Sequence, residues 1–126
     1  MNEVSSGVSK VLIVDDDRDI VEIVRTSLEK EGLPTIGVYS GQEALEEISR
    51  AIIGMAFVDV RMPEMNGIET FKKLREINTR LPVVMMTAYD DPLLEKDAFT
   101  LGVYRYIYKP FKISQLVSIA KEVLGR

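Results

Sequence analysis

Cysteine and histidine are both missing from this 126-residue chain. Without cysteine, neither a disulfide framework nor a thiolate metal site can form. Without histidine, the chain lacks the commonest side chain for acid–base work near neutrality. Long apolar runs are scarce too: the longest, Ala51–Val58, falls far short of the roughly 20 residues that a membrane helix needs. Residues 1–9, MNEVSSGVS, have neither the basic start nor the apolar core of a signal peptide. They read as a short flexible tail ahead of a single domain at residues 10–126. Basic blocks are absent and the net charge is −4, so nothing suggests direct nucleic-acid binding by this domain. The reading is a soluble, cytoplasmic chain with no membrane partner. What is present is a globular composition, 46% hydrophobic and 29% charged, at a length that can bury a core.

The most informative stretch is Ala56–Gly67, AFVDVRMPEMNG. A short apolar run bounded by loop residues reads as a buried strand, which places Asp59 at its carboxyl end. Similar runs recur. Lys10–Val14 is a near-continuous apolar strand leading into Asp15, Asp16 and Asp17, followed by a helical pattern of Ile20, Val24 and Leu28. Gly32 and Pro34 stop that helix, and Pro34–Tyr39 is a second strand. Ser40 and Glu43 form a capping-box pattern before Ala44, Leu45 and Ile48. A third strand covers Met55–Asp59, with a helix marked by Ile68, Phe71, Leu74 and Ile77 after it. Leu81–Met86 is a fourth strand ending at Thr87. Asp91 before Pro92 starts a helix with Leu94, Ala98 and Leu101 on one face. Val103–Tyr108 is a fifth strand ending at Lys109–Pro110, and the last helix carries Ile113, Leu116, Val117, Ala120 and Leu124.

Strands that alternate with helices in this way predict an α/β fold: a parallel sheet covered on both faces with right-handed crossovers. The chain is about half the length of an eight-stranded barrel. The expectation is therefore a flavodoxin-like, doubly wound (βα)5 fold with strand order 2-1-3-4-5.

In such sheets ligands bind at the carboxyl ends of the strands. There the pattern gathers Asp15, Asp16, Asp59, Thr87 and Lys109. Carboxylates brought together repel, and their pKa values rise unless a cation neutralises them. Oxygen ligands without histidine or cysteine favour magnesium over zinc. Acid, cation, lysine and hydroxyl together suit phosphoryl transfer, which depends mainly on positioning and charge neutralisation. Taken singly, Asp16 or Asp17 could cap the first helix, Thr87 could be an ordinary strand residue, and Lys109 a solvated lysine.

The motifs VLIVDDD (Val11–Asp17), VDVRMPEMNG (Val58–Gly67), VVMMTAY (Val83–Tyr89) and YIYKPF (Tyr106–Phe111) resemble those of a response-regulator receiver domain, the phosphoacceptor module of two-component signalling. The resemblance spans Lys10–Arg126. It implies that Asp59 is the phosphorylated aspartate. It also implies that Asp15, Asp16, Asp59 and the backbone carbonyl of Arg61 hold Mg2+, with Mn2+ as a substitute. Thr87 and Lys109 would contact the phosphoryl group, Ala88 would leave it room, and Tyr106 would be the aromatic switch. Arg61 and Tyr89 sit where the family tunes phosphoryl lifetime, and two bulky residues there imply slower loss. The Lys109–Pro110 bond resembles one that is usually cis in the family.

Because the chain has no histidine, the implied donor is a phosphohistidine on a histidine kinase or histidine phosphotransfer protein. The implied output face is the fourth helix, fifth strand and fifth helix, serving a downstream protein or fused effector domain and a phosphorylation-linked homodimer. Two features depart from the family pattern. Val103, Tyr104 and Arg105 replace a small acidic segment, and strand alternation sets Tyr104, Tyr106 and Tyr108 on one side. Gly54 stands where an acid commonly begins the third strand. Such a module assists its own phosphorylation and dephosphorylation without being an enzyme in the ordinary sense. Two other readings compete. In an aspartate-nucleophile phosphatase resembling the haloacid dehalogenase family, Asp15 would be nucleophile and Asp17 the acid–base. The other is a protein-binding module that works without phosphorylation.

Overall fold

The structure is a computed structural model and describes residues 9–88, 91 and 102–126. Five strands form one parallel sheet: β1 (Lys10–Val14), β2 (Thr35–Val38), β3 (Ile53–Asp59), β4 (Val83–Ala88) and β5 (Arg105–Lys109). Their order is β2-β1-β3-β4-β5, as the alternation predicts. Four described helices join them: α1 (Arg18–Lys30), α2 (Gly41–Ile48), α3 (Gly67–Ile77) and α4 (Ile113–Leu124). The helix expected after Asp91 lies outside the described residues.

Alternation within each strand explains why the strands read as unbroken apolar runs. Leu12, Val14, Ala56, Val58, Val83 and Met85 join one buried cluster with residues of α2 and α3. Their neighbours Val11, Ile13, Met55, Phe57, Val84 and Met86 join a second cluster with α1 and α4. Successive side chains point to opposite faces, and both faces are covered. Each substituted methylene is therefore felt on one side of the sheet or the other.

The helix starts follow local chemistry. Asp17 caps α1, its Oδ1 accepting from the Asp19 and Ile20 amides at 3.0 and 3.3 Å. Ser40 caps α2 through the Glu43 amide at 3.1 Å, whereas the Glu43 carboxylate takes the Tyr39 amide, one residue earlier than a full capping box. The full box is at α3, where Asn66 and Glu69 exchange hydrogen bonds.

Several boundaries differ from expectation. β3 begins at Ile53 and runs through Gly54. A Cβ at Gly54 would meet Leu124 and Ser9 atoms at 2.8 Å, so the glycine admits the end of α4 against the strand. β2 is shorter than expected, and β4 and β5 start two residues later and end two and one residues later. Ile77, expected in the core, is exposed at the last turn of α3, while Ile119 is buried instead beside Leu116 and Ala120.

Candidate phosphoacceptor and cation site

The carboxyl ends of β1, β3, β4 and β5 converge. Val14 pairs with Val58 across β1 and β3, Asp59 with Met86 across β3 and β4, and Ala88 with Lys109 across β4 and β5. This registry brings Asp15, Asp59, Thr87 and Lys109 to one edge, and all but Lys109 are buried. The Lys109 ammonium spans two carboxylates, 3.3 Å from Asp15 Oδ2 and 3.1 Å from Asp59 Oδ1. Lys109–Pro110 is cis, as the resemblance implies.

The three consecutive acids divide their work. Asp15 is buried and its Oδ1 accepts the Asp17 amide at 2.9 Å. Asp16 is exposed and faces the same cluster. Asp17 is engaged as the α1 cap. Oxygens of Asp15, Asp16 and Asp59 all lie within 4.8 Å of one another. A hard divalent cation holds adjacent ligand oxygens roughly 3–4 Å apart, so this cluster needs only a small contraction to bind one. The donor set is oxygen alone. The residues fit such a cation.

Electrostatics point the same way. Burial, with the neighbouring charge of Asp15 next, pushes the Asp59 carboxyl up to about 6, although Lys109 pulls it down. Burial also raises Asp15, against the Asp17 amide and Lys109. Burial disfavours the Lys109 charge, but Asp59 and Asp15 outweigh it and hold the ammonium above its usual value. Such a site lacks positive charge.

Gly67 fixes the loop that follows Asp59. Its amide donates to the Val60 carbonyl at 2.9 Å, and a Cβ there would stand 2.2 Å from the Asp59 carbonyl oxygen. The start of α3 therefore rests on the backbone of Asp59 itself. Glu64, in the same loop, adopts a left-handed φ of 64°.

At the next strand, the Thr87 hydroxyl donates to the Ala88 carbonyl at 3.2 Å, and Ala88 is exposed. Tyr106 is half-buried against the cluster under α2 and α3. Tyr106 and Tyr108 do share a side, their ring centroids 5.4 Å apart. Tyr104 departs from the expected row. It precedes β5, and its hydroxyl bonds Glu122 of α4, which Arg105 also reaches at 3.1 Å. Tyr89 lies outside the described residues. Sequence reading missed one contact beside the site: the Arg61 guanidinium meets Asp91 at 2.8 and 3.0 Å. The two are 30 positions apart, and Asp91 read only as a helix start.

A doubly wound sheet of order 2-1-3-4-5 with paired carboxylates, a lysine and a hydroxyl at its carboxyl edge defines a class: flavodoxin-like α/β domains with an acidic site at the strand ends. The family model described as response regulator receiver domain matches residues 11–121, and the chain belongs to that family. These are signalling domains of two-component response regulators. The chain is 36% identical over 118 residues to the transcriptional regulatory protein CpxR of Escherichia coli, covering 94% of this chain and 50% of that one. It is 32% identical over 119 residues to the regulatory protein AtoC of Escherichia coli, covering 94% of this chain and 26% of that one. It thus spans half or less of these curated relatives. Among solved structures, a CheY-like response regulator receiver domain protein from Methanospirillum hungatei superposes with a TM-score of 0.87 at 28% identity, covering 94% and 95% of the two chains. Among the described residues, no helix is long and apolar enough to cross a membrane.

Proposed function

We propose that residues 10–126 form a receiver domain that accepts a phosphoryl group on Asp59 from a phosphohistidine of a partner kinase or phosphotransfer protein. The observation that carries this reading is the clustering of Asp15, Asp16 and Asp59 within 4.8 Å, with Lys109 spanning Asp15 and Asp59. An Asp59 oxygen forms a bond to phosphorus as the donor's N–P bond breaks, and the donor imidazole leaves neutral or takes a proton from solvent. Asp15, Asp16, Asp59 and the Arg61 carbonyl would hold Mg2+, or Mn2+ in its place, which supplies charge neutralisation to the transferring group. Lys109 pairs with the phosphoryl oxygens, and Ala88 leaves them room. Thr87 gives up the Ala88 carbonyl to donate to the phosphoryl group, and Tyr106 moves into the space it leaves. This is a two-state element biased by a local change of charge.

The readout face comprises β5, α4 and the helix expected after Asp91, and it meets a downstream protein, a fused effector domain or a second copy. The domain works in the cytoplasm, without direct contact to nucleic acid or membrane. Arg61 and Tyr89 govern how long the phosphoryl group lasts. The engagement of Asp17 as a helix cap disfavours the phosphatase reading, which needs it as an acid–base.

The test is intact-protein and peptide mass spectrometry after incubation with magnesium and acetyl phosphate. One phosphoryl group on Asp59, lost with EDTA and absent in Asp59→Asn, is the expected result. No adduct from either acetyl phosphate or a panel of phosphohistidine proteins would overturn the reading in favour of a binding module.

A further inference from the structure

We propose that Asp91 is a positioning residue for the phosphoryl site: it holds the Arg61 guanidinium and so controls whether that cation reaches a phosphoryl group on Asp59. The inference rests on the phosphoacceptor reading and extends it to the lifetime of the modified state. Arg61 donates from Nε to Asp91 Oδ2 at 2.8 Å and from its terminal nitrogen to Oδ1 at 3.0 Å. Both oxygens and two sides of the fork are used, the arrangement in which an arginine–carboxylate pair is strongest.

The partners are unequal. The Asp91 side chain is 2% exposed and that of Arg61 is 62% exposed. The exposed guanidinium is rehydrated when it detaches, and Asp91 has an interaction besides this pair. Arg61 is the movable member. It is also the sole basic residue between Asp59 and Gly67, two positions from the phosphoacceptor.

The pair ties the loop after β3 to the segment after β4. On that segment the Asp91 amide donates to the Ala88 carbonyl at 3.2 Å, the same oxygen that receives the Thr87 hydroxyl. The tie therefore ends on an acceptor shared with the hydroxyl that must turn toward a phosphoryl group. That group carries about −1.5 to −2 charges and three acceptor oxygens, against a single charge on Asp91. It competes for the fork of Arg61. With the guanidinium on Asp91, the phosphoryl group is open to water. Water then bonds to phosphorus, the Asp59 O–P bond breaks, and inorganic phosphate leaves. With the guanidinium over the phosphoryl oxygens, the tie is released and the path of that water is covered. Asp91 shortens the lifetime by retaining Arg61.

The experiment follows loss of the phosphoryl group by mass spectrometry after acetyl phosphate is removed, in wild type, Asp91→Asn, Arg61→Ala and the double variant. Arg61→Ala keeps the backbone carbonyl and removes only the guanidinium. The expected result is a half-life at least 3-fold longer in Asp91→Asn, with the gain abolished in the double variant. A labelled wild type whose decay matches that of Asp91→Asn overturns the proposal alone, as does a gain that survives Arg61→Ala. Amide hydrogen exchange on the metal-free, unphosphorylated protein supplies a second readout that does not require Asp91→Asn to fold. Arg61→Ala should speed exchange of the Asp91 amide several-fold, and an unchanged rate overturns the tie. A wild type that takes no phosphoryl group from any donor overturns the phosphoacceptor reading and this inference with it.

Discussion

The two ends of the sheet treat charge in opposite ways. Near the amino ends of the strands, Glu29 of α1 accepts the Thr35 hydroxyl and Arg25 reaches both residues. The hydrogen bond from Thr35, with Arg25 behind it, holds the Glu29 carboxyl below its ordinary value. Arg75 likewise satisfies the carbonyls of Leu81 and Gly102 at 2.9 and 3.0 Å. At the carboxyl ends, Asp59 is buried beside Asp15 and pushed up to about 6. One end pairs its charges for stability. The other withholds part of the compensation, and that shortage is what a cation and a phosphoryl group can use.

The comparison is tested most strongly at two glycines. Gly67 at the carboxyl end would set a Cβ 2.2 Å from a backbone oxygen, whereas Gly54 near the amino end would meet atoms of Leu124 and Ser9 at 2.8 Å. The side chains of Leu124 and Ser9 can yield and the backbone of β3 cannot. Gly67→Ala is expected to cost about 3 kcal/mol, at the upper end for overpacking, and Gly54→Ala about 1 kcal/mol. Urea unfolding measures both. Equal costs would mean that the two ends are equally tolerant.

A smaller effect separates the ends by pH in EDTA. Asp59 is raised to about 6 in the folded chain from about 3.9 unfolded, so the folded state binds the proton more tightly. Its contribution to stability is full below the unfolded value and is lost as pH rises through about 6. Stability should therefore rise on the order of 2 kcal/mol as pH falls from 7.5 to 4, with raised Asp15 acting in the same direction. Asp59→Asn should flatten most of this slope. Glu29 has the opposite sign: its stabilisation is present above its unfolded value and fades only as pH falls below that range. Parallel pH profiles for wild type and Asp59→Asn would break the argument from burial. The smallest change is expected at Arg50, whose pair with Glu47 lies on the surface of α2 and its end. Arg50→Ala should alter stability by less than about 0.5 kcal/mol.

Much of the fold was legible because the signals are local. Val11–Val14 and Met55–Val58 are apolar at every position, which only a strand covered on both faces requires. The carboxyl ends followed at once, and with them Asp15, Asp16, Asp59, Thr87 and Lys109. Boundaries were less legible. The pattern starts the third strand at Met55, yet Gly54 lies inside it, with Leu124 packed where a side chain would stand. Tyr104 followed strand alternation on paper, but it precedes β5 and its hydroxyl is drawn to Glu122.

The sequence by itself determined the period of the core, the order of elements and the residue types at the strand ends, since each depends on neighbours a few positions apart. Only the tertiary structure decided which charges meet. Lys109 reaches Asp15 across 94 positions and Arg61 finds Asp91 across 30. Those distances are set by the parallel registry and the crossovers, and no local pattern encodes them. Burial, too, is a property of the assembled sheet. It is what turns an ordinary aspartate at the end of β3 into a carboxyl raised to about 6.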